Sequence, residues 1–221
     1  MQVRWYGQSA FTLIGRSTTV TIDPFGVFPE RPGRDLRWEY APVPAHEPDL
    51  LLITHEHFDH NGAEAAGGSH HIVRSTAGRF ETPVGEVVAV ASEHDAQAGT
   101  LRGPNTIFVL DVDGVRVCHM GDFGQAALRA EQRDAIGEID LLFVPVGGGP
   151  TLDAAGAAAV VDELRPALVV PMHYRTAAIS FLDTADDFLA RYEVNRTEAA
   201  FELPDPSRGN GAIVVAPDIP R

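Results

Sequence analysis

Three segments near the N-terminus, residues 2 to 6, 10 to 14 and 18 to 22, alternate or run apolar and are rich in Val, Ile, Thr and aromatic side chains. Gly7-Gln8-Ser9 and Gly15-Arg16-Ser17 separate them, so the pattern predicts a β-meander. It ends at Asp23-Pro24-Phe25, where proline withdraws a ladder donor and pushes Asp23 towards extended geometry. Asp49 to Ile53 is a short apolar run bounded by Pro48 and a polar cluster, which predicts a buried strand. Ile72-Val73 and Glu86 to Ala91 read as further strands. Asn105 to Val112 and Val115 to Met120 flank Asp113-Gly114, a hairpin signal of type I′. Leu141 to Val146 and Ala167 to Val170 are buried-strand runs, and Ala212 to Val215 is the last. Helices are expected at 62 to 66, at 125 to 134, after the capping Asp153 (small residues Ala154 to Val161) and at 184 to 192. The segment around Pro204 to Gly209 reads as loop. Pattern and composition together give a mixed α and β chain, expected to form one domain over 1–221.

Immediately after the apolar run of 49 to 53 comes Thr54-His55-Glu56-His57-Phe58-Asp59-His60-Asn61-Gly62. His55 and His57, two apart on extended chain, project to one side. Asp59 and His60 follow where Asn61-Gly62 signals a turn. Neutral imidazole is the commonest side-chain metal ligand, and carboxylate oxygen beside it suits zinc, manganese or iron. The stretch can offer two imidazoles to one ion, and a carboxylate with an imidazole to another.

These residues also match, letter for letter, the HxHxDH signature of the metallo-β-lactamase-fold hydrolases. Trp5-Tyr6-Gly7-Gln8-Ser9-Ala10-Phe11 followed by Ile22-Asp23-Pro24-Phe25 resembles the opening of the branch that holds the UPF0173-type hydrolases and the ascorbate-6-phosphate lactonases. Gln8 departs from that branch's Gly-His-Ser and is given no role. The resemblance implies an α/β architecture, the four-layer αββα sandwich, with two mixed sheets face to face and a metal site at one edge. It implies that His94 is a third histidine ligand, that Asp122 of His119-Met120-Gly121-Asp122 bridges two ions, and that His173 before Tyr174 is the last ligand. The implied sets are His55, His57 and His94 for one ion and Asp59, His60 and His173 for the other, with Asp122 between.

Two ions about 3.5 to 4 Å apart bring a shared water's pKa towards about 7, which makes a bridging hydroxide the expected nucleophile. Asp59 is expected to orient that water and shuttle its proton. The expected activity is hydrolysis of an ester, lactone, amide or phosphodiester, with two divalent ions, zinc first and manganese or iron accepted by the same ligands. The alternatives are a mono-iron oxidative enzyme of persulfide-dioxygenase type and a non-catalytic metal-binding protein. Flavodiiron-type relatives carry Glu where this chain has His57.

The remaining features change the picture less. Lys plus Arg is 17 against 31 for Asp plus Glu, a charge of −14 that disfavours a nucleic-acid partner and leaves a small-molecule substrate. With one cysteine, Cys118, no internal disulfide forms. No charged leader precedes an apolar core at Met1 to Trp5, and no apolar run reaches the roughly 18 residues of a membrane span. The cytoplasm is the expected compartment, and a homo-oligomer is compatible with the composition. Residues 26 to 48 carry five prolines and no sustained period, which reads as a long loop, either a lid or surface padding. His119, three residues before Asp122, falls on the opposite face of a regular strand and is expected to support the site from behind. Cys118 shares the face of Asp122 and reads as a small buried hydrophobe. Arg102 is a substrate contact or a solvated charge, and His46, His70 and His71 read as surface residues.

Overall fold

The computed structural model describes residues 1–28, 37–67, 70–205 and 212–219. The meander forms as patterned: β1 (Gln2–Gly7), β2 (Ala10–Ile14) and β3 (Thr19–Ile22) pair antiparallel, with Val3 opposite Leu13 and Leu13 opposite Val20. β4 (Leu50–Ile53) and β5 (His71–Arg74) extend the sheet in parallel beyond β3, and β13 (Ala200–Glu202) closes its other edge on β1. All four residues of β4 are buried, because a parallel strand between two neighbours is covered on both faces.

The second sheet begins with the hairpins β6 (Gly78–Thr82), β7 (Gly85–Glu93), β8 (Pro104–Val112) and β9 (Val115–His119). It continues in parallel through β10 (Leu141–Pro145), β11 (Leu168–Met172), β14 (Ile213–Pro217) and β12 (Val194–Thr197). In this order β7, β9, β10 and β11 all run the same way. Their C-terminal ends therefore share one edge.

The sheets bury a common core in which Trp5, Phe11, Leu13, Ile22 and Leu52 meet Phe108, Leu110, Phe143, Val170 and Met172. Each such side chain contributes about 1.5–3 kcal/mol on burial. On the outer face of the second sheet α1 (Ala130–Ile136), α2 (Ala154–Leu164) and α3 (Asp186–Leu189) cover Val109, Leu142, Val144 and Val214. Asp153 caps α2 as expected, its Oδ1 accepting the Gly156 N–H at 2.8 Å. Over the first sheet the described cover is a 3-10 turn, Ala63–Ala65, with the segments from Trp38 to Val43 and from Ala178 to Leu182. The two sheets lie face to face as in the αββα sandwich, but among the described residues no α-helix covers the first sheet.

The structure departs from the pattern in several places, and Asp23, expected to be extended before Pro24, instead takes φ +48. β6, β12 and β13 were not expected. The helix expected over 125 to 134 starts at Ala130, because Gln125 exchanges side-chain hydrogen bonds with Gln132 and accepts the Glu93 N–H at 3.1 Å, which ties 125 to 129 to β7 as loop. The helix expected over 184 to 192 is confined to Asp186–Leu189. His46 is not a free surface residue: it is half-buried, with Nε2 2.5 Å from Thr21 Oγ1 and Nδ1 2.8 Å from Pro44 O, and it braces its segment against β3. His70 is half-buried, and His71 is exposed.

Candidate metal centre

Each of the seven side chains singled out in the sequence follows the C-terminal end of a strand. His55, His57, Asp59 and His60 follow β4, His94 follows β7, Asp122 follows β9 and His173 follows β11. The structure brings all seven together. Asp122 Oδ2 lies 3.1 Å from His94 Nε2, 3.2 Å from His60 Nε2, 3.2 Å from His173 Nε2 and 4.0 Å from His55 Nε2. His55, His57 and His94 bring a ligand atom each to within 4.8 Å of one another, Asp59, His60 and His173 do the same, and so do His55, His60 and Asp122. His57 and Asp59 are half-buried, Asp59 with 13% of its side chain exposed, while the other five are buried. The two half-buried side chains form the mouth.

Backbone shape aims these groups. Strand alternation does not extend to Asp122, because Gly121 takes φ +56 and turns the chain back after β9. A Cβ on Gly121 would lie 2.8 Å from Thr54 Cβ and would also strike Asn105 Oδ1, so only glycine fits there. Gln8, Asp23 and His173, all non-glycine, have φ of +48, +48 and +51. Such strained residues gather at functional sites, where surrounding contacts hold them in place.

A second ring of contacts fixes the imidazole tautomers. Asp23, unassigned in the sequence beyond its strand end, accepts the Thr54 N–H at 2.8 Å, the Thr54 hydroxyl at 2.7 Å and His60 Nδ1–H at 2.9 Å. With its proton committed to Asp23, Thr54 Oγ1 accepts His55 Nδ1–H at 3.0 Å. His94 Nδ1–H donates to Pro150 O at 3.1 Å. These contacts turn the Nε2 atoms of all three histidines inwards. His119 Nε2–H donates to Ser9 O at 3.0 Å and its Nδ1 accepts the Gly121 N–H at 3.2 Å, while Ser9 Oγ donates to Asp122 Oδ1 at 3.3 Å. His119 thus holds the chain on both sides of Asp122. Cys118 is buried in the core on the helix side of the sheet, and burial pushes its thiol up to about 12.

His173 differs from these. Its backbone N–H reaches Gln8 O at 3.3 Å, but among the described residues its buried Nδ1 has no hydrogen-bond partner, and neither does the buried Gln8 carboxamide.

The charges describe a pocket built for a cation. Burial, reinforced by neighbouring imidazoles, pushes His55 well below the usual histidine range, and burial pushes His57 down. His60 goes the other way: burial opposes its charge, but Asp122, Asp59 and Asp23 raise it well above the usual range. Asp122 is held well below the carboxylate range by His173 and His60 despite its burial. His55 Nε2 and His57 Nδ1 face each other at 3.0 Å, an arrangement that a shared cation satisfies without a proton. The donor set of imidazole nitrogen and carboxylate oxygen suits zinc, manganese or iron.

Arg102 is exposed, and its backbone N–H is one of four that Asp95 accepts, which shapes the loop after His94. Of the 26 to 48 loop, residues 29 to 36 lie outside the described residues. The part after them is pinned rather than loose: Trp38 bridges Ile179, Glu39 N–H donates to Ala178 O at 2.8 Å, and Tyr40 and Thr176 hydroxyls pair at 2.7 Å. A cavity of about 980 Å³, lined by Arg175, Arg196 and Asp218 among others, opens behind Tyr174 and includes none of the seven side chains.

A family model described as the beta-lactamase superfamily domain matches residues 2–173. A UPF0173 metal-dependent hydrolase of Pyrobaculum calidifontis is 33% identical over 221 residues, covering 87% of this chain and 92% of the relative. A second, from Thermococcus onnurineus, is 31% identical and covers 80% and 85%. Among solved structures, a member of the metallo-beta-lactamase superfamily from Thermotoga maritima, described as a candidate Zn-dependent hydrolase, superposes with a TM-score of 0.78 at 28% identity, covering 98% of this chain and 99% of that one. With the HxHxDH residues at the C-terminal edge of a two-sheet sandwich, the chain belongs to the metallo-β-lactamase superfamily, in the family of UPF0173 metal-dependent hydrolases.

Proposed function

We propose that this chain is a hydrolase that holds two divalent ions, zinc foremost, and cleaves an ester, lactone, amide or phosphodiester with water. The observation that carries this reading is Asp122 Oδ2, set within 3.1–3.2 Å of three imidazole nitrogens, beside two three-residue groups that share no member. His55, His57 and His94 would hold one ion, Asp59, His60 and His173 the other, and Asp122 both. When bound, such a pair supplies Lewis acidity and acidifies a shared water.

The chain's own residues do the rest. Asp59, half-buried at the mouth, is placed to orient the attacking water and take its proton. Asp23 keeps His55 and His60 in the tautomer that turns Nε2 inwards, and Ser9 and His119 hold Asp122 in place. The mono-iron alternative needs only one of the two sets, so the completeness of both supports the binuclear reading. One buried cysteine is in keeping with the cytoplasm.

Elemental analysis of protein purified without added metal or chelator tests this. About two equivalents of zinc or manganese per chain, falling to near zero in Asp122→Ala together with all hydrolysis, is the expected result. One equivalent of iron, or loss of a single equivalent in that variant, would sink it.

A further inference from the structure

The chain that delivers Asp122 leaves its sheet abruptly. β8 and β9 pair antiparallel with Phe108 opposite His119, so continuing that register would set Asn105 opposite Asp122. Gly121, at φ +56, breaks the ladder first, and the peptide groups on either side of it need other partners. The Asn105 side chain supplies them. Its Oδ1 accepts the Asp122 N–H at 3.0 Å, and its Nδ2–H donates to Met120 O at 2.8 Å. A carboxamide carries the same donor and acceptor as a peptide group, so one side chain continues the ladder where the backbone has turned away.

Asn105 is itself firmly held. It is buried, its Nδ2 also donates to Ser92 Oγ at 2.8 Å, and that hydroxyl donates to Asn105 O at 3.2 Å. Ser92 faces Asn105 from β7, just ahead of His94. The amide lies so close to Gly121 that a Cβ there would strike its Oδ1. One buried side chain thus joins the strand end that leads to His94 with the turn that carries Asp122. Ser9 and His119 touch that turn at the Asp122 carboxylate and at the Gly121 N–H. Asn105 brackets Gly121 on both sides, which fixes the direction in which the chain leaves the turn.

Resting on the two-ion reading above, we propose that Asn105 is a positioning residue that sets the Asp122 carboxylate between the two groups of ligands. It acts through Asp122 alone. Because Asp122 Oδ2 lies 3.1–3.2 Å from the Nε2 atoms of His60, His94 and His173, a rotation of residue 122 disturbs all three distances at once. Donor and acceptor are both needed. A carboxylate of the same shape keeps an acceptor for the Asp122 N–H but sets a second acceptor against Met120 O.

The test is zinc affinity by chelator competition, together with the visible spectrum of the cobalt(II)-loaded chain, in Asn105→Ala, Asn105→Asp and Thr12→Val. Thr12→Val removes buried hydroxyl contacts to Tyr6 and Thr21 on the first sheet and controls for lost stability. Folding is checked by circular dichroism at the temperature of the titrations. Both Asn105 variants should bind zinc about 10–100-fold more weakly, as follows when a partner behind a ligand is lost. Their cobalt bands should shift or lose intensity, since these report ligand geometry rather than stability. Thr12→Val should stay within about threefold of the parent, as a distant site with no shared partner does, and keep its spectrum. Parental affinity and spectrum in Asn105→Asp overturn the proposal, and so does a loss in Thr12→Val as large as in the Asn105 variants. If Asn105→Ala does not fold, Asn105→Asp decides alone, since it keeps the shape and the Asp122 contact. Stoichiometry separates the two readings. A parent that binds one equivalent, weakened in both Asn105 variants with altered cobalt bands, keeps the positioning role and sinks the two-ion reading. Two equivalents in the parent, held as tightly in both variants, give the reverse.

Discussion

Apart from His57, whose Nδ1 faces His55 Nε2, the imidazoles of the site fall into two groups that differ in what stands behind them. His55, His60, His94 and His119 each have Nδ1 spoken for, by Thr54, Asp23, Pro150 O and the Gly121 N–H respectively. Among the described residues His173 has no partner on Nδ1, and beside it the Gln8 carboxamide is buried with both polar atoms unmatched. The first group is set in orientation and tautomer by hydrogen bonds before any ion arrives. The other is held by packing and by a backbone that sits at φ +51. One edge of the site is thus preorganised by polar contacts and the other by chain geometry, and each should fail in its own way.

The sharpest attempt to break this contrast is Asp23→Ala. It strips the support from His60 directly and from His55 through Thr54, so metal affinity, measured by chelator competition, should fall about 10–100-fold. Removing one partner of a fully buried pair should also cost on the order of 3–5 kcal/mol in urea unfolding. An effect no larger than that of a surface substitution would erase the distinction.

His119→Gln is expected to be the next largest, at about 1–3 kcal/mol for buried groups left unmatched. Its signature is in the pH dependence. Burial lowers the His119 pKa in the fold, so the unfolded chain takes up the proton first. Stability from this group is therefore whole above about pH 6.5 and lost as pH falls below it. Melting temperature between pH 7.5 and 5.5 should decline less steeply in His119→Gln than in the parent, and parallel slopes would refute the assignment.

On the other side of the comparison, Gln8→Leu should be neutral or stabilising by about 1 kcal/mol, since it removes an unmatched amide rather than a bond. For a chain of this size that is about 2–4 °C in Tm. A fall in metal affinity instead would move Gln8 into the group that holds a ligand. The smallest effect belongs to Glu56→Gln. The Arg74 hydrogen bond, with help from Ser75, holds the Glu56 carboxyl at about 2, yet 51% of its side chain is exposed. Its contribution is present above about pH 4.3 and lost as pH falls towards 2, and chemical denaturation at pH 7 should register less than about 1 kcal/mol.

The strands that carry the ligands were legible because burial on one or both faces leaves a period or an unbroken apolar run, as in Val3 and Trp5 or Leu50 to Ile53. β12 and β13 were not: they are short, mostly exposed edge strands, and Val194-Asn195-Arg196-Thr197 has no apolar face to announce it. The seven candidate ligands could be named from the motif and the family resemblance. Asp23 and Thr54 could not be given their part, because it depends on a contact across 31 residues of chain that leaves no local pattern. The alternation rule also misled at Asp122, since a left-handed Gly121 intervenes between the strand and the carboxylate.

Asp23 carries a consequence for loading. It touches His60 directly and His55 through the Thr54 hydroxyl, one histidine from each three-residue set. On the two-ion reading proposed above, one carboxylate would set a histidine of each position in advance, so a single change at residue 23 would weaken both positions together. A zinc titration of metal-free Asp23→Ala should then show both equivalents binding more weakly than in the parent rather than one.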